Sequence, residues 1–386
     1  MGLAVGAGVI AAQDIGAKRY EAVHKLADTA LTVSLIGGVA VGVFGFFATE
    51  PLLRLMGTTK EILPSAVPYM KAYFTGMPGC LLYNYLAAIQ RSGGDTKHPL
   101  LFLAISGVAN VGLNILMVAG FKLGALGVGI ATSASQYIAA AAILIFMLRE
   151  EGCCRVTGFA LDGERLKKMV LIGLPAGLQG TLFSLSNVII QSSINAYGTY
   201  VVAGNAAGSN LDGFLYIAMN SVYTAALTFV GQNVGAGKYA RIKKISFLCV
   251  GLVTFIGVSL GVVLVVFGEK LLLIFATGEN KDAVVKAGMN RLLVMGTTYF
   301  LCGLMDVGCG IMRGMGKTIL PMIVSLVGSC LFRIVWIATV CPLFPGNILA
   351  LYISYPISWF ITAAVHYGCC IHNYRALMRR GAVPAV

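Results

Sequence analysis

Long apolar runs separated by short polar stretches cover the chain from end to end. Ten of them, at 29–48, 66–89, 99–119, 125–148, 169–196, 201–230, 245–267, 288–312, 318–341 and 348–371, are long enough to be helical membrane spans. About 20 predominantly apolar residues cross the roughly 30 Å hydrocarbon core as an α-helix, which satisfies its own backbone polar groups. The opening run Gly2–Ala12 is equally apolar, but its 11 residues reach only about 17 Å. The pattern predicts an all-α polytopic membrane protein with ten full spans and one half span.

The polar punctuation between the runs repeats. Val230–Lys244 reads VGQNVGAGKYARIKK, and Ala12–Lys25 reads AQDIGAKRYEAVHK. A shift of 219 places Gln13 on Gln232, Gly16 on Gly235, Ala17 on Ala236, Tyr20 on Tyr239 and Lys25 on Lys244. Glu50-Pro-Leu-Leu53 then meets Glu269-Lys-Leu-Leu272, and after a three-residue insertion Arg91–Thr96 meets Arg313–Thr318 and Pro99 meets Pro321. Shared order over such a distance marks an internal duplication. Two whole spans precede the Gly-rich turn in the second copy and half a span in the first, so roughly fifty residues are expected to be missing before Met1. A complete parent would hold two pseudo-symmetric six-helix lobes arranged as parallel repeats. The expected divisions are an incomplete first lobe at 1–148, a cytoplasmic inter-lobe linker at 149–168, a second lobe at 169–372 and a cytoplasmic tail at 373–386.

Composition agrees with the membrane reading: 58% of the 386 residues are hydrophobic, 11% are charged, and the mean hydropathy is +0.85. A soluble domain cannot hide so much apolar surface. A net charge of +13 would suggest nucleic acid in a soluble protein, but here the cations sit in short loops on alternate sides. The loops at 14–28, 91–98, 149–168, 231–244 and 313–317, with the tail, carry 19 Lys or Arg, against 6 in the opposite set. That asymmetry places the richer set and the C-terminus in the cytoplasm of a multi-pass plasma (inner) membrane protein. The expected partners are the lipid bilayer and small organic cations, with no nucleic acid and a monomeric state. Of the ten Cys, five lie in apolar helices as small hydrophobes, while Cys153-Cys154 and Cys369-Cys370 lack CxxC spacing. With four His, neither a metal nor another cofactor is expected beyond a coupling H+ or Na+, and no signal peptide opens the chain.

The stretches PAGLQGTLFSLSNVIIQSSINAYG (175–198), GNAAGSNLDGFLYIAMN (204–220), the paired GA turns, RSGGDTKHP, RGMGKTILP and LFRIVWIATV (331–340) resemble bacterial multidrug and toxic compound extrusion (MATE) transporters. The resemblance runs the length of the chain. It implies a cation-coupled antiporter of two six-helix lobes that exports organic cations and similar drugs. Some relatives carry an ion-linked Asp in a first helix this chain lacks. Others use a Glu in the helix matching 169–196, which holds no acid here.

Thirteen of the fifteen acidic residues fall in loops or at helix ends, which singles out Asp212 and Asp306. A lone carboxylate in a membrane helix costs about 2.5–3.5 kcal/mol on insertion scales, so it normally faces a cavity or a partner. Asn205, Ser209, Asp212, Tyr216, Met219 and Tyr223 step by three or four along one helical face, flanked by Asn210. The preceding span answers with Ser184, Asn187, Gln191 and Asn195. Such facing stripes are either interhelical hydrogen-bond glue or the wall of a wet cavity, and the uncompensated acid favours the cavity. Asp306 shares a face with Tyr299, Cys302 and Arg313, and the repeat puts Asn84 at its place in the first lobe. It is read either as a coupling site or as half of a structural pair with Arg333. The resulting assignment is cation coupling at Asp306, Asp212 and Arg333. The substrate cavity comprises Asn187, Gln191, Asn195, Asn205, Asn210, Tyr216, Tyr223, Tyr299 and Asn84.

Three other functions compete. A lipid-precursor flippase of the same fold would want several cationic residues in its cavity, where mid-span charge here reads as two Asp and one Arg. A shortened chain could be a non-transporting form. An intramembrane enzyme would need a catalytic dyad, and neither GxGD nor HExxH occurs. The charge split yields a direct test of orientation. A cysteine placed in the 238–244 loop should react with impermeant thiol reagents only after cell lysis, and labelling of intact cells would invert the topology.

Overall fold

The computed structural model describes residues 2–276 and 280–381, so positions 277–279 of the expected outer loop and 382–386 of the tail lie outside the described residues. The chain forms two compact units, Met1–Leu174 and Pro175–Val386. Unit 1 holds α1 (Gly2–Gly16), α2 (Tyr20–Leu55), α3 (Leu63–Thr75), α4 (Met77–Ser92), α5 (Lys97–Asn114) and α6 (Gly124–Arg149). The helix α7 (Gly163–Asn195) begins in unit 1 and continues into unit 2. Then come α8 (Thr199–Gly235), α9 (Ala240–Phe275), α10 (Lys281–Gly314), α11 (Ile319–Ser325), α12 (Phe332–Thr339), α13 (Ile348–Tyr352) and α14 (Ser354–Gly381). One-turn π-helical segments at Ile115–Gly120 and Leu326–Leu331 extend α5 and join α11 to α12. No strand occurs among the described residues.

Nine helical stretches among the described residues are long and apolar enough to cross a membrane, and Gly2–Gly16 is a shorter apolar helix. The tenth expected run, 66–89, falls on α3 and α4, which meet at Gly76. Pro78 accounts for the break. Its missing N–H cannot bond the Phe74 carbonyl, and its ring crowds the turn before it. The repeat counterpart of Pro78 is Phe300, and there α10 runs unbroken.

The duplication read from loop motifs reappears in the packing. A Cβ added to Gly38 of α2 would lie 2.5 Å from Pro78 Cα, and one added to Gly257 of α9 would lie 2.8 Å from Phe300 Cα. Gly42 faces the Phe74 carbonyl oxygen, and its counterpart Gly261 faces the Gly296 carbonyl oxygen even more closely. Ser92 Oγ donates to the Gly8 carbonyl at 2.8 Å, while a Cβ on its counterpart Gly314 would come 2.8 Å from the Leu227 carbonyl. Both left-handed turns repeat as well, Lys18 (φ 59) with Gly237 (φ 68) and Gly94 (φ 97) with Gly316 (φ 79). Glycine accepts that conformation freely; Lys18 holds it at a steric cost.

Within unit 2, small residues let α8 and α10 lie side by side. Gly204 sits on Gly288, Gly208 on Arg291, Gly303 on Met219 and Gly310 on Tyr223. Residue numbers climb together along both helices, so the face of α8 that packs on α10 meets it in a fixed register. Glycine faces are the usual means of close helix packing in lipid, where no hydrophobic force draws helices together. The segment after α6 is fastened to unit 1. Thr157 N, Thr157 Oγ1 and Gly158 N all donate to the Asp28 carboxylate, at 2.7, 2.5 and 3.1 Å. Asp28 is buried inside α2, which starts at Tyr20 and so takes in most of the expected 14–28 loop.

Gly261→Leu should drive a side chain into the α10 backbone at Gly296 and cost about 1–3 kcal/mol by overpacking. Gly251→Ala on the same helix meets nothing within 4 Å and should be near neutral. Thermal unfolding of the two variants in detergent would check this difference.

Candidate functional site

Three polar clusters lie inside unit 2. In the first, Arg291 of α10 donates from Nε to Asp212 Oδ2 at 2.9 Å, and its Nη2 forms an ion pair with the same oxygen at 2.8 Å. Its Nη1 donates to Asn205 Oδ1 at 2.7 Å, which also accepts from the Tyr352 hydroxyl at 3.3 Å. Asn205 Nδ2 then donates to Gln191 Oε1 at 3.1 Å, and Gln191 Nε2 to Asn195 Oδ1 at 3.1 Å. Helices α7, α8, α10 and α13 are thus joined through one connected set of bonds.

Asp212 is therefore compensated, contrary to the expectation from sequence. Arg291 lies only three residues inside the apolar run that begins at 288, which hides it among the helix-end cations. The approach of Gly208 to Arg291 brings it level with Asp212. Both partners are almost fully buried, with side-chain exposures of 10% and 4%. Taking two charges out of water is expensive, so such a pair survives only with good geometry and further hydrogen bonds. Here the guanidinium is hydrogen-bonded at Nε and Nη1 and ion-paired at Nη2, whereas Asp212 Oδ1 has no partner among the described residues.

The second cluster sits further along the same helices. Arg313 Nη1 donates to the Tyr223 hydroxyl at 2.6 Å and Nη2 to Gln179 Oε1 at 2.7 Å. All of its partners are neutral, and its Nε is buried without a hydrogen bond. In the third cluster Arg333 Nε donates to Ser358 Oγ at 2.9 Å. The guanidinium lies 4.2 Å from the Tyr355 ring centre and 5.5 Å from that of Trp359, in cation–π contact. Its Nη2 is buried and unpartnered.

Asp306 lies between the levels of Arg291 and Arg313 on α10. It is half-buried and has neither a hydrogen bond nor an ion pair within 4 Å among the described residues. The alternative pairing with Arg333 is not formed, because Arg333 turns onto the aromatic face of α14 instead. Tyr299 packs edge-on against Trp359 at 5.2 Å. Tyr216, Asn187 and Asn210 are exposed, and neither amide makes a hydrogen bond among the described residues. Asn84 belongs to unit 1 and donates back to the Cys80 carbonyl of its own helix at 2.7 Å. Within α14, His366 is buried and its Nδ1 lies 2.9 Å from the Met305 carbonyl.

The structure thus joins Asp212, Asn205, Gln191 and Asn195, and links Tyr223 to Arg313. Arg291, Gln179, Tyr352, Tyr355 and Ser358 escaped the sequence reading. The stripe of Tyr352, Tyr355 and Trp359, spaced by three and four, was the available signal for the aromatic face.

Charged and amide side chains gathered inside an otherwise apolar helical membrane protein are characteristic of a transport protein. The comparisons with known proteins agree. A family profile described as MatE matches residues 1–116 and 175–339, and the chain belongs to the MATE family of transporters. It is 25% identical over 378 residues to the probable multidrug resistance protein YoeA of Bacillus subtilis, spanning 95% of this chain and 81% of that one. It is 30% identical over 307 residues to the probable multidrug resistance protein YpnP of the same organism, covering 78% and 67%. An FAD transporter of Shewanella oneidensis is 26% identical over 283 residues, covering 71% of this chain and 63% of its own. In fold, the chain superposes on a MOP superfamily transporter from Pyrococcus furiosus with a TM-score of 0.92, at 19% identity, over 98% of this chain and 84% of that one. A MATE structure in a bent conformation gives 0.89, at 18% identity, over 99% and 85%.

Removing one partner of the buried pair leaves an uncompensated charge. Arg291→Met or Asp212→Asn alone should destabilise unit 2 by about 3–5 kcal/mol. The double variant should lose much less than the sum of the two. Thermal unfolding of all four proteins in detergent would measure that coupling.

Proposed function

We propose that this transporter is a secondary antiporter that exports small organic molecules, organic cations foremost, in exchange for an inward proton or sodium ion. It would work by alternating access, as a monomer in the plasma membrane with its C-terminus in the cytoplasm. The observation that carries this reading is the unpaired carboxylate of Asp306 within the last third of α10. A carboxylate at that depth is neutralised by whichever cation reaches it, so cargo and coupling ion compete for one charge. That competition is enough to tie their opposite movements together. Asp212 takes a different part from the one its sequence suggested. Held by Arg291, it braces the amide network that positions Gln191 and Asn195.

A second reading, anionic cargo, is favoured by the buried arginines. The interior of unit 2 holds Arg291, Arg313 and Arg333 against two Asp, and Arg333 has no carboxylate partner. The name of the Shewanella oneidensis relative, an FAD transporter, points the same way for that protein.

Proteoliposomes loaded with a fluorescent organic cation and given an imposed pH or sodium gradient would test the main reading. Wild-type protein should move the dye under one of the two gradients, and Asp306→Asn should lose gradient-driven export while inserting normally. Undiminished coupled export by Asp306→Asn would remove the carboxylate from the mechanism. Flavin transport with no dye transport would favour the anionic reading.

A further inference from the structure

The fastened segment after α6 opens with two adjacent cysteines. Cys153 and Cys154 lie in a turn outside the membrane spans, with their sulfurs 3.7 Å apart. Both sit over the C-terminal end of α4. Cys154 Sγ is 3.6 Å from the Ile89 carbonyl, and a Cβ built on Gly93 would lie 2.7 Å from Cys154 Sγ and 3.9 Å from Cys153 Sγ. The bare glycine leaves room for the Cys154 sulfur. The other adjacent pair, Cys369 and Cys370 in α14, provides a contrast. Successive side chains on a helix point about 100° apart, and Cys370 Sγ turns instead to the Gly308 carbonyl at 3.4 Å.

The two thiols of the turn also differ in a useful way. Cys153 is half-buried and Cys154 buried. The hydrogen bond from the Cys154 thiol holds Cys153 below the ordinary thiol range, down to about 7, and the same contact with burial pushes Cys154 up. Cys153 is thereby partly thiolate near neutral pH, the form that attacks an electrophile, with a second thiol waiting beside it. No group of three or more His, Cys, Asp or Glu that could hold a metal occurs among the described residues, and a structural zinc needs four ligands. Two adjoining sulfurs suit a soft centre that takes a pair of thiolates.

We propose that Cys153 and Cys154 form a dithiol site for trivalent organic arsenicals, compounds of the type R–As(OH)2. Cys153 forms the first S–As bond and displaces one hydroxide; Cys154 forms the second and displaces the other. The two thiol protons leave with the two hydroxides as two waters. Arsenic stays trivalent throughout, so no oxidant or reductant is consumed. The cyclic product resists exchange with monothiols, since each half that opens is held next to its partner and recloses, whereas an added dithiol competes on equal terms.

The test uses the full chain in detergent with phenylarsine oxide as the probe and intact mass as the readout. One phenylarsenic adduct per chain should survive excess mercaptoethanol and be removed by 2,3-dimercaptopropanol. Cys153→Ser and Cys154→Ser should each abolish the monothiol-resistant adduct, while the double variant Cys369→Ser, Cys370→Ser keeps it. All variants should elute from size exclusion as wild type does, because serine replaces sulfur with little change of shape. A resistant adduct that persists in Cys153→Ser or Cys154→Ser, or none in wild type, overturns the proposal.

Discussion

Backbone contact along α10 is the constraint on which the rest of unit 2 depends. Gly288, Gly303 and Gly310 admit α8, and Gly296 admits α9 through Gly261. Side chains at these places would hold the helices apart, and in lipid no solvent force would draw them back. Because α8 and α10 run together with matched neighbours, Asp212 meets Arg291 and Tyr223 meets Arg313, two contacts set by one packing surface. Unit 1 uses the same device at Gly38 and Gly42, which places α2 against the ends of α3 and α4.

That packing sorts the charges by role. An arginine with a carboxylate and an amide at hydrogen-bond distance is a brace, since moving either partner exposes a buried charge. An arginine stacked on tyrosine and tryptophan, like Arg333, leaves one buried nitrogen without a hydrogen bond. Asp306 is a carboxylate with neither a hydrogen bond nor an ion pair among the described residues. The braced Arg291 and the unpartnered Asp306 lie on α10, and the stacked Arg333 on α12.

Much of this was legible in the chain. Apolar run lengths determine which segments can span, and a period of three and four residues determines which polar groups share a face. The offset of 219 rising to 222 determines which positions of the two halves correspond, and the glycine contacts and left-handed turns follow it closely. Periodicity assigns a face and leaves its neighbour open, and the amides Asn187 and Asn210 are exposed.

Partnership was decided by tertiary structure alone. The sequence marked Asp212 as a buried acid, but its partner lies 79 residues away on a helix whose rotation is set by glycines. It marked Arg333 as a possible mate for Asp306, yet the aromatic face of α14 captures that guanidinium. It left the packing of 149–168 open, and three hydrogen bonds to the buried Asp28 fasten its middle to unit 1, with the Cys153 and Cys154 turn over α4. The reason is common to all three. Hydrophobicity and periodicity are properties of one segment, whereas an ion pair or a docked loop depends on the distance and rotation between segments, which close packing determines only once the whole unit has assembled.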